Sequence, residues 1–372
     1  MARRTYIWER PKWPAWEFDA TRLLVPLGTA RRAQGELDAR IASLGFDDRR
    51  RIELDARTDE AVETTEIEGE PVSRADVRSS IARRLDLDRG GVPAALIAPG
   101  VVDLTLDATV DYASPLTRER IDGWHARLFP LVAGRRRSMA IGTWRDDATG
   151  PMQVVSGRID APVVHFEAPP AHRIALEMAA FLAWFEEPTP LDGLVRSALA
   201  HLWFVTIHPY DDGNGRIARA IADMALARDA RSGRRYFSMA RQINAEKRRY
   251  YDTIEAAQRG DLDVTEWLAW YLATYVRAID TTSASMADAF CAHAFWRTHD
   301  GIAFSERQRR ILDRTLHAFE GNLTAKKWAA LAKTSIDTAQ RDVADLVAKG
   351  VLRANPGGSK NTSYALVGYP KV

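Results

Sequence analysis

The run His208-Pro209-Tyr210-Asp211-Asp212-Gly213-Asn214-Gly215-Arg216, with Arg219 three residues on, sets a base, a carboxylate, a glycine-rich turn and two guanidinium groups close together in the chain. An imidazole that titrates near neutral pH can take a proton from a hydroxyl attacking phosphorus. Asp212 offers the hard oxygen that Mg²⁺ prefers beside phosphates. Gly213 and Gly215 let the backbone approach an anion, and the Asn214 amide can orient a phosphate oxygen. Arg216 and Arg219, three apart on a helix, share a face and can reach the same polyanion. The chemistry indicated is hydroxyl attack on a polyphosphate that carries Mg²⁺.

Helices must hold these groups. Leu199, Leu202, Trp203, Val205 and Thr206 form an apolar helical pattern ahead of the run, and Ile217, Ile221, Met224 and Ala225 form another behind it. The predicted unit is helix, tight loop, helix, with the second N-terminus aimed at the anion. Helices over 194–207, 216–228, 240–258 and 264–277 are expected to form the bundle, with others over 117–131, 172–185 and part of 94–110. Between them lie β-prone pieces at 141–145, 152–156 and 162–166, which suggest a small hairpin over the loop. Upstream, Tyr6, Trp8, Trp13, Trp16 and Phe18 alternate with Pro11 and Pro14, as in an arm that docks by its rings. Helical patterns follow near 21–44 and 47–68, the second stopped by Gly69 and Pro71, and Ser73 with Asp76 caps a third through 85. Residues 88–99, rich in Gly, Ala and Pro, read as a connection.

The tail reads as a separate unit. Three helical patterns (305–319, 325–332, 336–349) precede two short strands, 351–353 and 362–366, around Pro356-Gly357-Gly358: the outline of a winged helix-turn-helix. From residue 321 onward there are eight Lys or Arg against three Asp, an excess that suits phosphate contact. Ser335 caps the candidate recognition helix, whose exposed Thr338, Gln340 and Arg341 could meet DNA. Winged helices also dock proteins, and Asp337 at the helix start argues mildly against groove insertion. Both readings stay open.

Bulk properties bound the remainder. With 372 residues, two or three domains are possible. A net charge of +2 excludes a polycation, so nucleic-acid affinity would need a local patch. A single cysteine, Cys291, excludes an intramolecular disulfide and a cysteine-cluster zinc site. Arg3 and Arg4 have no apolar stretch behind them, so no signal peptide is expected. The most hydrophobic stretch, 92–102, is broken by Pro93, Pro99 and Gly100, so no membrane span is expected either. The expected compartment is the cytoplasm.

The run His-x-Tyr-x-Asp-Gly-Asn-Gly-Arg-x-x-Arg resembles the signature of the Fic family, with Tyr210 where the usual form has Phe, a ring expected to point into the core. The aromatic arm resembles the N-terminal module of many bacterial Fic proteins, Val154-Val155-Ser156-Gly157 resembles the family's β-hairpin flap, and 240–258 with Tyr250-Tyr251 resembles the helix flanking the nucleotide base. The resemblance implies a mainly α Fic-type bundle with a β-hairpin flap and a C-terminal winged helix, in three domains: 1–90, 91–285 and 300–372. It implies a protein adenylyltransferase that moves AMP from ATP to a Ser, Thr or Tyr hydroxyl of a protein, or of itself. His208 would deprotonate the target hydroxyl and Asp212 would hold Mg²⁺. Gly213, Asn214, Gly215, Arg216 and Arg219 would bind the phosphates, Tyr251 and Gln258 would contact adenine, and Val154, Val155 and Ser156 would pair with a target strand.

Thr64 and Glu68 lie four apart on one helix face, ended by Gly69. Read from the residues alone, Glu68 is an ordinary surface acid or, if near Arg219, a competitor for its guanidinium. The resemblance implies the second: Thr64, Glu68 and Gly69 match the family's inhibitory motif Ser/Thr-x-x-x-Glu-Gly/Asn. Alternatives are AMP removal, another nucleotide or phosphate-containing donor, and a DNA-binding regulator that uses the core as a nucleotide sensor. A homodimer is a further expectation from the resemblance.

Overall fold

The computed structural model describes residues 5–85, 100–129, 139–158, 161–318, 322–356 and 362–369. The connection expected over 88–99 and the turn at Gly357-Gly358 lie outside them. The helices are α1 (Ala20–Ser43), α2 (Phe46–Ile67), α3 (Arg74–Arg84), α4 (Gly100–Val110), α5 (Arg118–Leu128), α6 (Ala171–Glu186), α7 (Gly193–Ile207), α8 (Asn214–Ala230), α9 (Met239–Ala245), α10 (Lys247–Arg259), α11 (Thr265–Ser285), α12 (Ala287–Thr298), α13 (Glu306–Ala318), α14 (Ala325–Ala332) and α15 (Ile336–Ala348). The strands are β1 (Gln153–Arg158), β2 (Ala161–Glu167), β3 (Leu323–Thr324), β4 (Leu352–Ala354) and β5 (Ser363–Leu366). None of the described helices is long and apolar enough to cross a membrane.

Two compact units result, one made of Met1–Leu37 with Arg50–Thr282, the other of Asp38–Arg49 with Ser283–Val372. In the first, α7 and α8 form the central antiparallel pair. Almost every side chain of both is buried, which is why α7 is apolar all round rather than striped. Trp124, Ile174, Phe181, Trp203, Phe204, Tyr210 and Met224 fill the space between α4, α5, α6 and this pair. The aromatic arm docks by its rings, as expected. The indole N–H of Trp8 donates to the Glu167 carbonyl at 2.7 Å, that of Trp13 donates to Glu177 at 2.8 Å, and Tyr6 meets Phe166 edge-on.

Ala61 and Val62 of α2, Val77 and Ile81 of α3, and Val101, Val102 and Leu106 of α4 share one apolar cluster within the first unit. Two expectations of secondary structure need correction. Residues 141–145 form no strand, because the Arg145 N–H is taken by the Pro209 carbonyl and its side chain by the loop. The helix expected over 240–258 breaks at Glu246, whose backbone leaves helical geometry (φ −114°, ψ 24°) and whose carboxylate takes both arms of Arg277 at 2.6 Å.

Buried charge anchors α2. Glu60 accepts from the Ser238 hydroxyl at 2.7 Å and the Ala240 N–H at 3.0 Å, while Arg57 donates to Thr109 at 2.9 Å and to the Gly233 carbonyl. Burial, aided by the Asp223 charge, pushes the Glu60 carboxyl up to about 8. A carboxyl raised in the fold above its unfolded value stabilises fully at low pH, and stability is lost as pH rises toward the raised value. Glu60→Gln keeps the acceptor oxygen and removes the titration. Thermal melts should therefore show the variant close to wild type near pH 5 and more stable than wild type above about pH 8.

The second unit packs α12 to α15 around Phe295, Leu312, Trp328, Val343 and Leu346, beside an antiparallel sheet in the order β3-β5-β4. Asp342 is held within it by Arg307, at 2.6 and 2.7 Å, and by the Trp328 indole at 3.1 Å. Helix α12 was not anticipated from the sequence.

Candidate active site

The bend between α7 and α8 is built from backbone in the left-handed region. His208 ends α7 at φ 52°, its N–H still bonded to the Phe204 carbonyl at 3.0 Å. Gly213 precedes α8 at φ 82°, where an added Cβ would lie 2.9 Å from the Phe129 ring. Tyr210 turns fully inward, stacked on His125 at 4.2 Å, and its hydroxyl donates to Asp122 at 2.5 Å. The first bond of the α8 ladder runs from the Ile217 N–H to the Gly213 carbonyl. The N–H groups ahead of it lie outside the ladder, the usual seat for an anion.

The His208 ring lies 3.2 Å by Nδ1 from the Val205 carbonyl. A carbonyl only accepts, so Nδ1 carries the proton and Nε2 keeps its lone pair. Burial pushes the imidazole down to about 4, partly opposed by the Val205 bond, so at neutral pH the ring is an uncharged base. Arg145 braces the bend from behind, with Nε donating to the His208 carbonyl at 2.8 Å and Nη2 to the Pro169 carbonyl at 2.6 Å.

A carboxylate occupies the anion seat. At the end of α2 the Glu70 N–H bonds the Thr65 carbonyl and the Gly69 N–H bonds the Glu66 carbonyl, with Gly69 at φ 79°. This is a Schellman turn, and it throws Glu68 and Glu70 toward α8. Glu68 Oε1 lies where a Cβ on Gly215 would come within 2.2 Å of it, and it accepts from Arg219 Nη2 at 2.6 Å. Thr64 takes two more bonds from the same guanidinium, Nε to its hydroxyl at 2.6 Å and Nη2 to its carbonyl at 2.8 Å. Arg219 is 4% exposed, so the pair is largely shielded from water. Glu70, which the sequence did not single out, takes Arg216 Nη1 at 2.7 Å. Arg216 Nε is buried with no hydrogen-bond partner among the described residues.

Asp212 stands at the mouth of the bend, its side chain 40% exposed, with Oδ1 accepting from the Gly213 N–H at 2.6 Å and lying 3.4 Å from Arg216. Two other polar residues are buried beside the bend. The Asn214 amide is buried and clamps the loop, accepting from the Tyr210 N–H at 3.0 Å and donating to the Tyr210 carbonyl at 2.7 Å. Gln258 is also buried, donating to the Val205 carbonyl at 3.4 Å and the Thr206 hydroxyl at 3.3 Å. It therefore braces the carbonyl that orients His208. Tyr251 stays partly exposed, its hydroxyl 3.4 Å from the Ile67 carbonyl. Val154, Val155 and Ser156 lie on β1, which among the described residues pairs only with β2. Thr338, Gln340 and Arg341 lie in the second unit on α15, with Gln340 and Arg341 exposed.

Residues 115–226, which include the bend and the hairpin, match the model of the Fic/DOC family. This segment is a Fic/DOC family domain. Ahead of it, residues 6–87 match a domain of unknown function, DUF4172. A crystal structure of a Fic family protein from Desulfovibrio desulfuricans G20 shares the fold with TM-score 0.56 at 18% identity, covering 96% of this chain and 99% of that one. Among curated proteins, protein adenylyltransferase fic-1 of Caenorhabditis briggsae is 33% identical over 88 residues, 23% of this chain and 16% of that protein. A uridine 5′-monophosphate transferase of Xanthomonas campestris pv. campestris is 40% identical over 68 residues, 16% of this chain and 12% of that protein. The matched stretches thus span about a sixth or less of these relatives' own length.

Proposed function

We propose that this chain is a protein adenylyltransferase that moves AMP from ATP to a protein hydroxyl and is held inactive by Glu68. The observation that carries the reading is the Glu68 carboxylate over Gly215 and on Arg219: an anion seat already holding an anion from the chain itself. With that carboxylate withdrawn, the triphosphate would lie on the α8 N-terminus, its γ-phosphate on Arg219 and its inner phosphates near Arg216. His208 Nε2 would take the proton of the attacking hydroxyl, the hydroxyl oxygen would bond to the α-phosphorus, and pyrophosphate would leave. Asp212 suits a Mg²⁺ ion, being a reachable carboxylate beside the seat; when bound, the ion neutralises phosphate charge. The open edge of β1 would hold an extended target segment by strand addition.

The test compares α-³²P-ATP with γ-³²P-ATP on the Glu68→Gly protein. Label on protein from the α position only is expected; label from the γ position would replace AMP transfer with phosphoryl transfer. A second reading is favoured by the likeness to the uridine 5′-monophosphate transferase, namely UMP as the transferred group, and α-³²P-UTP in parallel decides between them. Glu70→Ala, added to Glu68→Gly, is expected to lower the nucleotide's apparent Kd about threefold to tenfold by freeing Arg216, as read by titration calorimetry. In the second unit, Lys326, Lys327, Lys333 and Arg341 are exposed, which supports the winged-helix reading of residues 300–372 with DNA as partner. Salt-dependent binding of duplex DNA, weakened by Arg341→Ala, is the expected result.

A further inference from the structure

The flap carries a constellation that the phosphate site does not use. Ser156 Oγ on β1 lies 2.6 Å from His165 Nε2 on β2, and His165 Nδ1 lies 2.6 Å from Glu255 Oε2 on α10. An ionised glutamate only accepts, so Nδ1 carries the ring proton and Nε2 accepts from the serine hydroxyl. The hairpin is irregular at this point. Val154 pairs with Phe166 and Val155 with Val164, which leaves His165 without a partner opposite it. Such a bulge re-aims a side chain. The third member is firmly held, since Arg259 pairs with the other Glu255 oxygen and also donates to the Val164 and His165 carbonyls at 2.8 Å each. Helix α10 therefore fixes both the bulge and the group that orients the imidazole. A hydroxyl, a base and an oriented carboxylate in series make an activated nucleophile, and Ser156 is exposed on the strand.

We propose that Ser156 is the hydroxyl on which this chain modifies itself. The inference rests on the nucleotidyl-transfer reading above and deepens it by naming an acceptor. Ser156 Oγ bonds to the α-phosphorus, the bond from that phosphorus to the bridging oxygen breaks, pyrophosphate leaves with the electron pair, and the serine proton passes to His165 Nε2. Glu255 is a positioning residue that keeps Nε2 turned to the hydroxyl. Because this acceptor brings its own base, it does not depend on His208 for the proton.

The Glu68→Gly protein, incubated with Mg²⁺ and ATP (UTP in a parallel sample), is mapped by peptide mass spectrometry, with labelling of lysate proteins followed in the same tubes. The expected result is one nucleotide monophosphate on Ser156. His165→Gln should reduce that occupancy at early times by about 10²-fold or more, whereas Ser156→Thr, which keeps a hydroxyl, should remain labelled at that position. Modification at other residues with Ser156 bare overturns the inference, as does an unmodified chain beside labelled lysate proteins; in both cases nucleotidyl transfer itself stands. Absence of label from every protein overturns both.

Discussion

Glu68→Gly is expected to raise nucleotide transfer about tenfold to a hundredfold over wild type at sub-saturating ATP, counted as α-label on lysate proteins. The magnitude follows from what is removed. The Glu68 carboxylate makes a charge-assisted bond of 2.6 Å to a guanidinium that is almost fully buried, and such bonds contribute roughly 1.5–3 kcal/mol. A nucleotide that must displace it binds more weakly by the fraction of molecules in which the seat is open. The substitution leaves the scaffold in place. Gly69 still ends α2, and Thr64 still takes two bonds from Arg219, so the freed guanidinium stays aimed at the seat rather than swinging away. Glu68→Gln should fall between the two, because it keeps the bulk over Gly215 while removing the charge. Equal rates for wild type and Glu68→Gly across an ATP titration would show that the carboxylate is no brake.

How far the chain could be read in advance depended on whether a feature is local. The bend, its two helices and the left-handed Gly213 (φ 82°) were legible because the chemistry needs contiguous residues; the left-handed His208 (φ 52°) was not, and Gly215, also expected to use its freedom, is helical. The Thr64–Glu68 face was legible for the same reason. Its meeting with Arg219, 151 residues away from Glu68, was not visible in periodicity and came only from the family resemblance. Glu70 on Arg216, Arg145 on the His208 carbonyl and Asp122 on Tyr210 had no local signal, since each is a single polar side chain whose partner is set by tertiary packing. Asn214 and Gln258 show the limit from the other side, since their burial and bonding partners had no local signal either. Both carry amides that suit a ligand and both are buried: Asn214 accepts from the Tyr210 N–H and donates to the Tyr210 carbonyl, and Gln258 donates to oxygens of Val205 and Thr206 on α7. The buried charges of α2 blurred its apolar stripe, and the β-prone residues of 141–145 became a brace for the loop.

His208→Ala in the Glu68→Gly background should lower label on lysate proteins by about 10²–10⁴-fold while nucleotide affinity, read by calorimetry, changes little. The chain's own band is excluded from the count, because Ser156 supplies its own base. The split follows from position: His208 makes no bond to the arginines or the glycines of the seat, and its ordered contact is with the Val205 carbonyl at 3.2 Å. The pH dependence adds a second signature. Burial holds the imidazole down at about 4, so the free base predominates throughout the neutral range. A general base works only when deprotonated, so the acid limb of kcat/KM should fall below about pH 5 rather than near the ordinary histidine value of about 6.5. Glu68 raises the His208 value, so removing it should move that limb lower still. Gln258→Leu would take one donor from the Val205 carbonyl and loosen the ring's anchor, giving a lower kcat with KM nearly unchanged. A limb centred near pH 6.5, or full activity in His208→Ala, would mean that another group takes the proton.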